Sequence, residues 1–161
     1  MIQQLLEGAE NVIAYAPHCW LMTLSPSGAV DARPMGRSNP PVSQAGWSLC
    51  FLADSRSKKV RDIHFARQVR LIFERGDDAF VSLGGVAEVI SDTAVIERRW
   101  IPDYDRIFPS AADKANAVFV DVRAEELRLW IRGLTPEPFG VCSLTLRRPL
   151  DGDWHLDSER P

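Results

Sequence analysis

The spacing of apolar residues predicts a chain of short strands in successive hairpins, with helices inserted singly. Apolar residues recur at helical spacing from residue 2 to about residue 14, and Pro17 ends this predicted helix. Strands are predicted at residues 20–24 and 29–35, because residues 26–28 have the composition of a tight turn. The first part of the chain therefore favours a helix followed by a hairpin.

The middle of the chain contains the strongest strand signal. Residues 47–53 are apolar almost throughout, which predicts a strand that is buried on both faces. The preceding residues 37–46 are rich in Pro, Gly and Ser and predict a surface loop. Asp92 is expected to cap a helix, because its carboxylate accepts hydrogen bonds from the free amides of the first turn. The other elements predicted here are a helix over residues 57–66, strands at 69–73 and 79–90, and a helix over 93–100.

The C-terminal third continues the same pattern. Residues 118–122 and 127–132 predict a second hairpin, after a loop at residues 102–109. From Gly133 the chain is interrupted by Pro and Gly, and residues 143–147 then predict another strand. Successive hairpins do not suit a doubly wound parallel sheet. The pattern predicts a mainly β fold with inserted helices, arranged as an antiparallel barrel.

Composition limits the class of protein. The 161 residues suit one domain, and 45% apolar with 25% charged residues is ordinary for a globular chain. A net charge of −3 disfavours a protein that coats nucleic acid or an acidic membrane. The N-terminus lacks the features of a signal peptide, and no apolar stretch approaches the about 20 residues that span a bilayer. We therefore expect a soluble, cytoplasmic protein.

The cysteines and histidines form no recognisable site in the sequence. Cys19, Cys50 and Cys142 are odd in number and widely spaced, without a CxxC pair, so neither a disulfide framework nor a zinc site is expected. The three histidines also lack metal-binding spacing. No nucleophile motif of a hydrolase is present, so no catalytic residue is assigned.

The densest charge feature is a basic segment at the start of the helix predicted over residues 57–66. Arg56, Lys58, Lys59 and Arg61 surround Ser57 there, although the N-terminus of a helix favours anions. A bound phosphate would resolve this conflict, because backbone amides, a hydroxyl and ammonium groups would all converge on it. A solvated basic face with Ser57 as a simple cap is the alternative. No aromatic residues alternate with the cations, which disfavours nucleic acid.

A strand arginine and a pair of adjacent glycines are further candidate ligand contacts. Arg33 emerges from a strand just before Pro34, and its guanidinium can bind phosphate through two hydrogen bonds. A surface ion pair is the alternative role for a strand arginine. Gly84 and Gly85 interrupt a strand, which indicates either a bulge or bend of the barrel or a close approach by a ligand or another chain.

Taken in order, these segments resemble a known family, the general stress protein 26 branch of the pyridoxamine 5′-phosphate oxidase-like, FMN-binding split-barrel superfamily. The resemblance covers roughly residues 5–132 of a single domain, 1–161, and leaves 133–161 as a C-terminal extension. The segments that carry it are Arg33-Pro34-Met35, Phe51-Leu52-Ala53, Ser57-Lys58-Lys59, residues 81–87, residues 96–102 and Leu129-Trp130.

The resemblance implies a six-stranded antiparallel split barrel that forms a homodimer, with two FMN molecules at the dimer interface. The residues that match the flavin-phosphate ligands of such proteins are Arg33, Ser57 and Lys59, with Lys58 beside them. The residues that would lie near the ribityl chain and the flavin ring are Pro34, Met35, Phe51, Leu52, Ser82, Leu83 and Gly84. Trp130 would reach the flavin from the partner subunit.

The sequence departs from true pyridoxamine 5′-phosphate oxidases where those enzymes hold the phosphate of their substrate. Ser38 stands where they carry a lysine, Trp100 and Pro102 stand where they carry a Tyr and an Arg, and their C-terminal Arg-x-His is missing. We therefore expect a flavin-dependent oxidoreductase that acts on another small molecule. A non-catalytic flavin-binding stress protein, or a relative that binds a different anion, is the alternative, and FAD is an alternative to FMN.

Overall fold

One antiparallel sheet contains most of the described residues that adopt regular secondary structure. The computed structural model describes residues 1–36, 41–150 and 152–157. Within them, eight strands pair in the order β2-β1-β4-β5-β6-β7-β8, and β3 pairs with β6. The strands are β1 (His18–Leu24), β2 (Val30–Gly36), β3 (Ser48–Asp54), β4 (Gln68–Arg75), β5 (Ala79–Ile90), β6 (Ala117–Ile131), β7 (Leu144–Arg147) and β8 (His155–Leu156). The sheet and its inserted helices confirm the predicted fold class.

Four α-helices and one 3₁₀ helix lie between the strands. The α-helices are α1 (Ile2–Tyr15), α2 (Lys58–Phe65), α3 (Thr93–Arg99) and α4 (Ala111–Lys114), and the 3₁₀ helix is Pro102–Arg106. Asp92 caps α3 as predicted, since its carboxylate accepts a hydrogen bond from the Val95 amide at 3.1 Å. The 3₁₀ helix lies in the stretch that was predicted as a loop.

The inner face of the sheet forms the apolar core. Leu21, Leu71, Leu83 and Leu127 lie side by side on neighbouring strands, and all four are fully buried. Alternate residues of a strand share a face, so this row continues above and below with other apolar side chains. The apolar face of α1 covers part of the core. Arg33 pairs with Leu21 and therefore extends the same row at the edge of the sheet.

Strand β3 is buried on one face only, so the prediction of two buried faces was wrong. Leu49, Phe51 and Ala53 point into the core, whereas Cys50 and Leu52 are half-buried on the other face. The outward side chains are apolar, which is why the sequence suggested complete burial. Their incomplete cover leaves an apolar surface along the outer side of β3.

Strand β6 runs unbroken through the segment that was predicted as the turn of a hairpin, so that prediction was also wrong. It has 15 residues, and β5 pairs with it from Phe119 to Ile131, leaving out only Glu125. Gly84 faces Glu126 and Gly85 faces Ala124, which leaves Glu125 as the extra residue of a β-bulge. The polar residues of this bulge produced the turn-like pattern.

Residues 148–154 of the C-terminal segment contact the loop that precedes β3, at residues 46–47. The guanidinium of Arg148 donates hydrogen bonds to the carbonyl oxygens of Gly46 and Ala124, each at 2.8 Å. Trp154 packs edge-on against Trp47, with ring centroids 5.5 Å apart. Trp47 has a φ of 63°, in the left-handed region that a bulky residue rarely adopts. These contacts hold it there.

The cysteines at positions 19, 50 and 142 are all free, as expected. Across the described ranges, no helix is both long and apolar enough to cross a membrane.

The bulge explains Gly85 and generates a stability prediction. A Cβ at Gly85 would lie 2.2 Å from the backbone oxygen of Arg123, whereas the nearest atom to a Cβ at Gly84 would be a side-chain nitrogen of Arg70, at 3.1 Å. We expect Gly85→Ala to lower the free energy of unfolding by about 1–3 kcal/mol, the usual scale of overpacking. Gly84→Ala is the matched control and should cost less. Urea denaturation measures both, and equal losses would contradict the close approach of the two strands.

Candidate functional site

The predicted basic segment lies at the start of α2, facing β2. Ser57 is the residue before the helix, and Lys58 and Lys59 are its first two residues. Arg33 points from β2 toward this end of the helix, because it contacts the carboxylate of Asp62 at 3.7 Å. We call Arg33, Ser57 and Lys59 the cationic cradle.

A buried carboxylate fixes the position of two of the nearby cations. Asp62 is 2% exposed and accepts hydrogen bonds from Thr23 Oγ1 and Lys58 Nζ, both at 2.8 Å. Burial is the largest influence and raises the pKa of Asp62. The hydrogen bonds from Lys58 and Thr23, together with the charges of Lys58 and Arg33, outweigh it and hold the pKa below its ordinary value. Asp62 is therefore ionised and ties α2 to the first hairpin.

Arg33 is ion-paired within the chain, as its alternative interpretation predicted. Its guanidinium donates to Thr23 Oγ1 at 2.7 Å and to Asp31 Oδ2 at 2.9 Å. Asp31 also lies 3.4 Å from Lys58 Nζ, so one carboxylate oxygen serves two cations. Asp31 is half-exposed, which leaves its ion pairs open to water. An incoming anion would compete with Asp31 for Arg33.

Lys59 and Ser57 are not satisfied by the described part of the chain. Lys59 is half-buried, and its side chain makes no ion pair or hydrogen bond with any described residue. Burial, and next the charge of Arg33, lower the pKa of its ammonium group, while Asp54 opposes them. Ser57 Oγ is buried without a hydrogen-bond partner among these residues, so Ser57 does not cap α2 through its side chain. Two donors beside a guanidinium thus lack an acceptor.

A cleft of about 770 Å³ opens along the outer side of β3, and we call it the β3 cleft. Three predicted flavin-site residues line it, namely Met35, Phe51 and Leu52. The side facing them is formed by the segment from the end of α3 through the 3₁₀ helix, including Arg99, Ile101 and Tyr104. The cleft therefore separates β3 from a segment that carries the sequence departures noted above.

Aromatic stacking holds this segment on the outer face of β6. Trp100 packs edge-on against Tyr104 and Phe108, and Tyr104 packs edge-on against the buried ring of Phe119. The indole of Trp100 donates to Asp105 at 3.0 Å. One wall of the β3 cleft is thus supported by packed rings, of which Tyr104 lines the cleft itself.

The charged groups of the β3 cleft were missed by the sequence analysis. Arg99 Nη1 donates to both carboxylate oxygens of Asp121, at 2.8 and 3.0 Å, and contacts Cys50 Sγ at 3.7 Å. Burial, followed by Asp121, raises the pKa of the Cys50 thiol to about 12. The available signal was the pair of exposed isoleucines at 101 and 107 in a polar segment, since such residues often border a site.

The remaining predicted residues lie away from the cradle. Ser82 and Gly84 are on the outer face of β5, where Ser82 accepts a hydrogen bond from Arg70 at 2.8 Å. Trp130 lies on the same outer face, paired with Phe80 on β5. Leu83 is a core residue with no exposed surface. Within one chain, these residues do not meet the cationic cradle.

Two positions need separate mention. Pro34 is exposed on the outer face of β2 and lines a second cavity of about 470 Å³, with Trp20 and Ile72. Ser38, where the oxidases carry a lysine, falls outside the described residues. No cluster of three or more His, Cys, Asp or Glu side chains suited to a metal occurs in the described ranges.

Comparison with known proteins places this geometry in context. The family model "Pyridoxamine 5′-phosphate oxidase like" matches residues 6–135. No curated protein matches the chain.

Several solved structures share the fold. The general stress protein 26 of Bacillus anthracis is 19% identical, with a TM-score of 0.63 over 78% of this chain and 93% of the other. A general stress protein 26-related protein of Clostridium acetobutylicum is 14% identical, with a TM-score of 0.72 over 90% and 95%. A pyridoxamine 5′-phosphate oxidase-related, FMN-binding protein of Nostoc punctiforme is 16% identical, with a TM-score of 0.67 over 99% and 95%.

The buried carboxylate generates a pH prediction. The pKa of Asp62 is lowered in the folded state, so its contribution is present above the unfolded pKa of about 3.9 and is lost as pH falls through the folded value. We expect Asp62→Asn to lower the free energy of unfolding by about 1–3 kcal/mol at pH 7. The difference between the free energies of unfolding of the variant and the wild type should become smaller as the pH falls from about 5 to about 2.

Urea denaturation at pH 7 and at pH 3 measures this gap. The exposed turn residue Asp77 provides the control Asp77→Asn, which should show a small gap at both pH values. A gap for Asp62→Asn that is equally large at pH 3 would mean that the carboxylate is not held ionised by its neighbours.

Proposed function

The chain belongs to the pyridoxamine 5′-phosphate oxidase-like family, and we propose that it is an FMN-binding protein that acts as a flavin-dependent oxidoreductase on a small molecule. The FMN-binding relative from Nostoc punctiforme supports the choice of cofactor. We further propose that the functional unit is a homodimer with the flavin at its interface.

The unpaired donors of the cationic cradle carry the proposal. Ser57 Oγ is buried and has no acceptor among the described residues. The ammonium group of Lys59 is half-buried, and the charges that act on its pKa are those of Arg33 and Asp54. A flavin phosphate brings nearly two negative charges and several acceptor oxygens, which would satisfy both groups and remove the repulsion between Lys59 and Arg33. The residues present therefore fit the phosphate of FMN.

The β3 cleft supports the placement of the rest of the cofactor. Met35 follows Arg33 by two residues on β2, and Leu52 lies on β3 five residues before Ser57. Both line the cleft, so an extended molecule anchored in the cradle can continue along this apolar surface. When bound there, FMN would supply the electron transfer. The protein would anchor the phosphate, orient the ring and exclude water from it.

The outer face of the sheet supports the dimer. Trp130 and Phe80 are half-buried on this face, and Trp20 is 51% exposed near the cavity that contains Pro34. Aromatic side chains of this kind are enriched at interfaces between proteins. A second copy packed on this face would bring Ser82, Gly84 and Trp130 toward the flavin of its partner, which a single chain does not do.

Charge in the β3 cleft argues against pyridoxamine 5′-phosphate as the substrate. Arg99 lies in the segment where the oxidases hold that phosphate, but its guanidinium is bound to Asp121. A phosphate without a free cation would be poorly compensated. We therefore propose that the substrate is a different small molecule.

Substitution of Lys59 tests the cofactor proposal. We expect Lys59→Ala to weaken FMN binding by about 1.5–3 kcal/mol, the scale of a hydrogen bond to a charged group, which corresponds to about 10- to 150-fold in Kd. Arg56→Ala removes the same charge from the same segment, but Arg56 is exposed and bonded to Asp54, so this control should bind FMN nearly as well as the wild type. Quenching of flavin fluorescence measures both.

Equal affinity of the Lys59→Ala variant and the wild type would place the phosphate elsewhere. If the protein binds no FMN, a relative that binds another anion becomes the better description. Reduction of the bound flavin by NADPH faster than that of free FMN would support the oxidoreductase over a non-catalytic flavin-binding protein.

Asp31 provides a prediction of the opposite sign. Because its carboxylate is bound to Arg33 and Lys58, it competes with a phosphate for them. We expect Asp31→Asn to tighten FMN binding by up to about fivefold, since an exposed ion pair is worth about 0.2–1 kcal/mol. The same fluorescence titration measures it, and weaker binding would mean that Asp31 positions Arg33 for the ligand.

A further inference from the structure

The electrostatics of the β3 cleft differ from those of the cationic cradle. Among the residues that the structure describes, its lining carries one guanidinium, Arg99, and two carboxylates, Asp103 and Asp121. The rest of the lining is apolar or uncharged, and at 770 Å³ the cleft has the size of an ordinary small-molecule site. The described lining therefore holds no surplus of positive charge.

The only guanidinium of the described lining is paired with a carboxylate. One nitrogen of Arg99 reaches both oxygens of Asp121, and the guanidinium carbon lies 5.7 Å from the ring centroid of Phe119. The bond to Asp121, followed by that carboxylate's charge, raises the pKa of Arg99 and so stabilises the pair as an ion pair. An anionic ligand would either displace Asp121, which leaves a partly buried carboxylate without its partner, or meet a guanidinium whose charge that carboxylate already compensates.

The other polar groups at this end of the cleft are uncharged near neutral pH. Burial, and after it the charge of Asp121, raises the pKa of the Cys50 thiol to about 12 and so keeps the thiol protonated. Burial, and next Cys50, also raise the pKa of Tyr104. A protonated thiol behaves as a small hydrophobe, and a phenol is a neutral hydrogen-bond donor. Such a lining suits a molecule without a formal negative charge.

The rim of the cleft is apolar. Ile101 and Ile107 are 45% and 65% exposed where the 3₁₀ segment borders the opening. On the opposite side, the half-buried Leu52 extends the apolar surface along β3. Apolar walls on both sides favour a flat, mainly hydrocarbon molecule that removes them from water.

We propose that the β3 cleft binds an uncharged, mainly apolar ring compound, and that Asp121 sets this specificity by neutralising Arg99. The inference rests on the proposed function in one respect: it names the substrate class of the flavin-dependent reaction, because the cleft shares Met35 and Leu52 with the proposed flavin site. The binding preference itself is a property of the chain and can be measured without cofactor.

A matched pair of probes tests the preference. 2-Naphthamide and 2-naphthoate have nearly the same shape, but only naphthoate carries a negative charge. Titration calorimetry on the whole protein, with and without FMN, should show that 2-naphthamide binds more tightly than 2-naphthoate by about tenfold or more, because the guanidinium of the described lining is already paired with Asp121. Failure of both probes to bind, or tighter binding of naphthoate to the wild type, would overturn the proposal.

Substitution of Asp121 tests the cause of the preference. Asp121→Asn keeps the shape of the side chain but frees the charge of Arg99, so 2-naphthoate binding should improve by about tenfold. Asp103→Asn removes the same charge from the cleft without freeing a cation and should have a clearly smaller effect, because Arg99 is not bonded to Asp103. Equal effects of the two variants would show that Asp121 acts only through net charge and would contradict the assigned role.

Two further measurements keep the outcomes separate. If Asp121→Asn does not fold, Arg99→Gln provides the second test, since it leaves Asp121 uncompensated and should weaken naphthoate binding further while sparing 2-naphthamide. FMN affinity is titrated in parallel. If the wild-type protein binds no FMN but still prefers the amide, the proposed function alone is refuted. If it binds FMN but does not prefer the amide, the substrate class alone is refuted.

Discussion

The buried carboxylate of Asp62 is the constraint on which the site depends. A charge with almost no exposure is tolerated only when hydrogen bonds and opposite charges replace water. Asp62 obtains them from Thr23 on β1, Lys58 on α2 and Arg33 on β2. The same interactions therefore orient the start of α2 against the first hairpin. Lys58 is bound to Asp62 in this arrangement, whereas the side chains of Lys59 and Ser57 have no hydrogen-bond partner among the described residues.

The sequence predicted the elements whose signal is local. The spacing of apolar residues located α1, and the cap at Asp92 located α3, because both depend on neighbours within a turn or two of helix. Strand β6 was divided wrongly because its bulge at Glu125 exposes polar residues, and a bulge is defined by the partner strand. The outer face of β3 was judged buried because apolar residues alone do not show what covers them.

The site was predictable in part for the same reason. A conflict between cations and a helix N-terminus is visible in a short segment, so Ser57 and Lys59 were found from the residues around them. The contact of Arg33 with Asp62 and the bond of Arg99 to Asp121 join different elements, so they depend on how α2 packs against β2 and α3 against β6. Ion pairs between elements decide which cations are free, and residue types do not reveal this. Two regions of one small protein thus present opposite electrostatic demands to a ligand.

The clasp between the C-terminal segment and the loop before β3 has a consequence for how the protein matures. Arg148 holds Gly46 across 102 positions of the chain, and Trp154 supports the unusual backbone of Trp47. During translation, residues 148–154 must therefore leave the ribosome before these contacts can hold the loop that precedes β3. A nascent chain can pair its early strands sooner, but the backbone of Trp47 gains this support only after residues about 100 positions further along the chain have been synthesised.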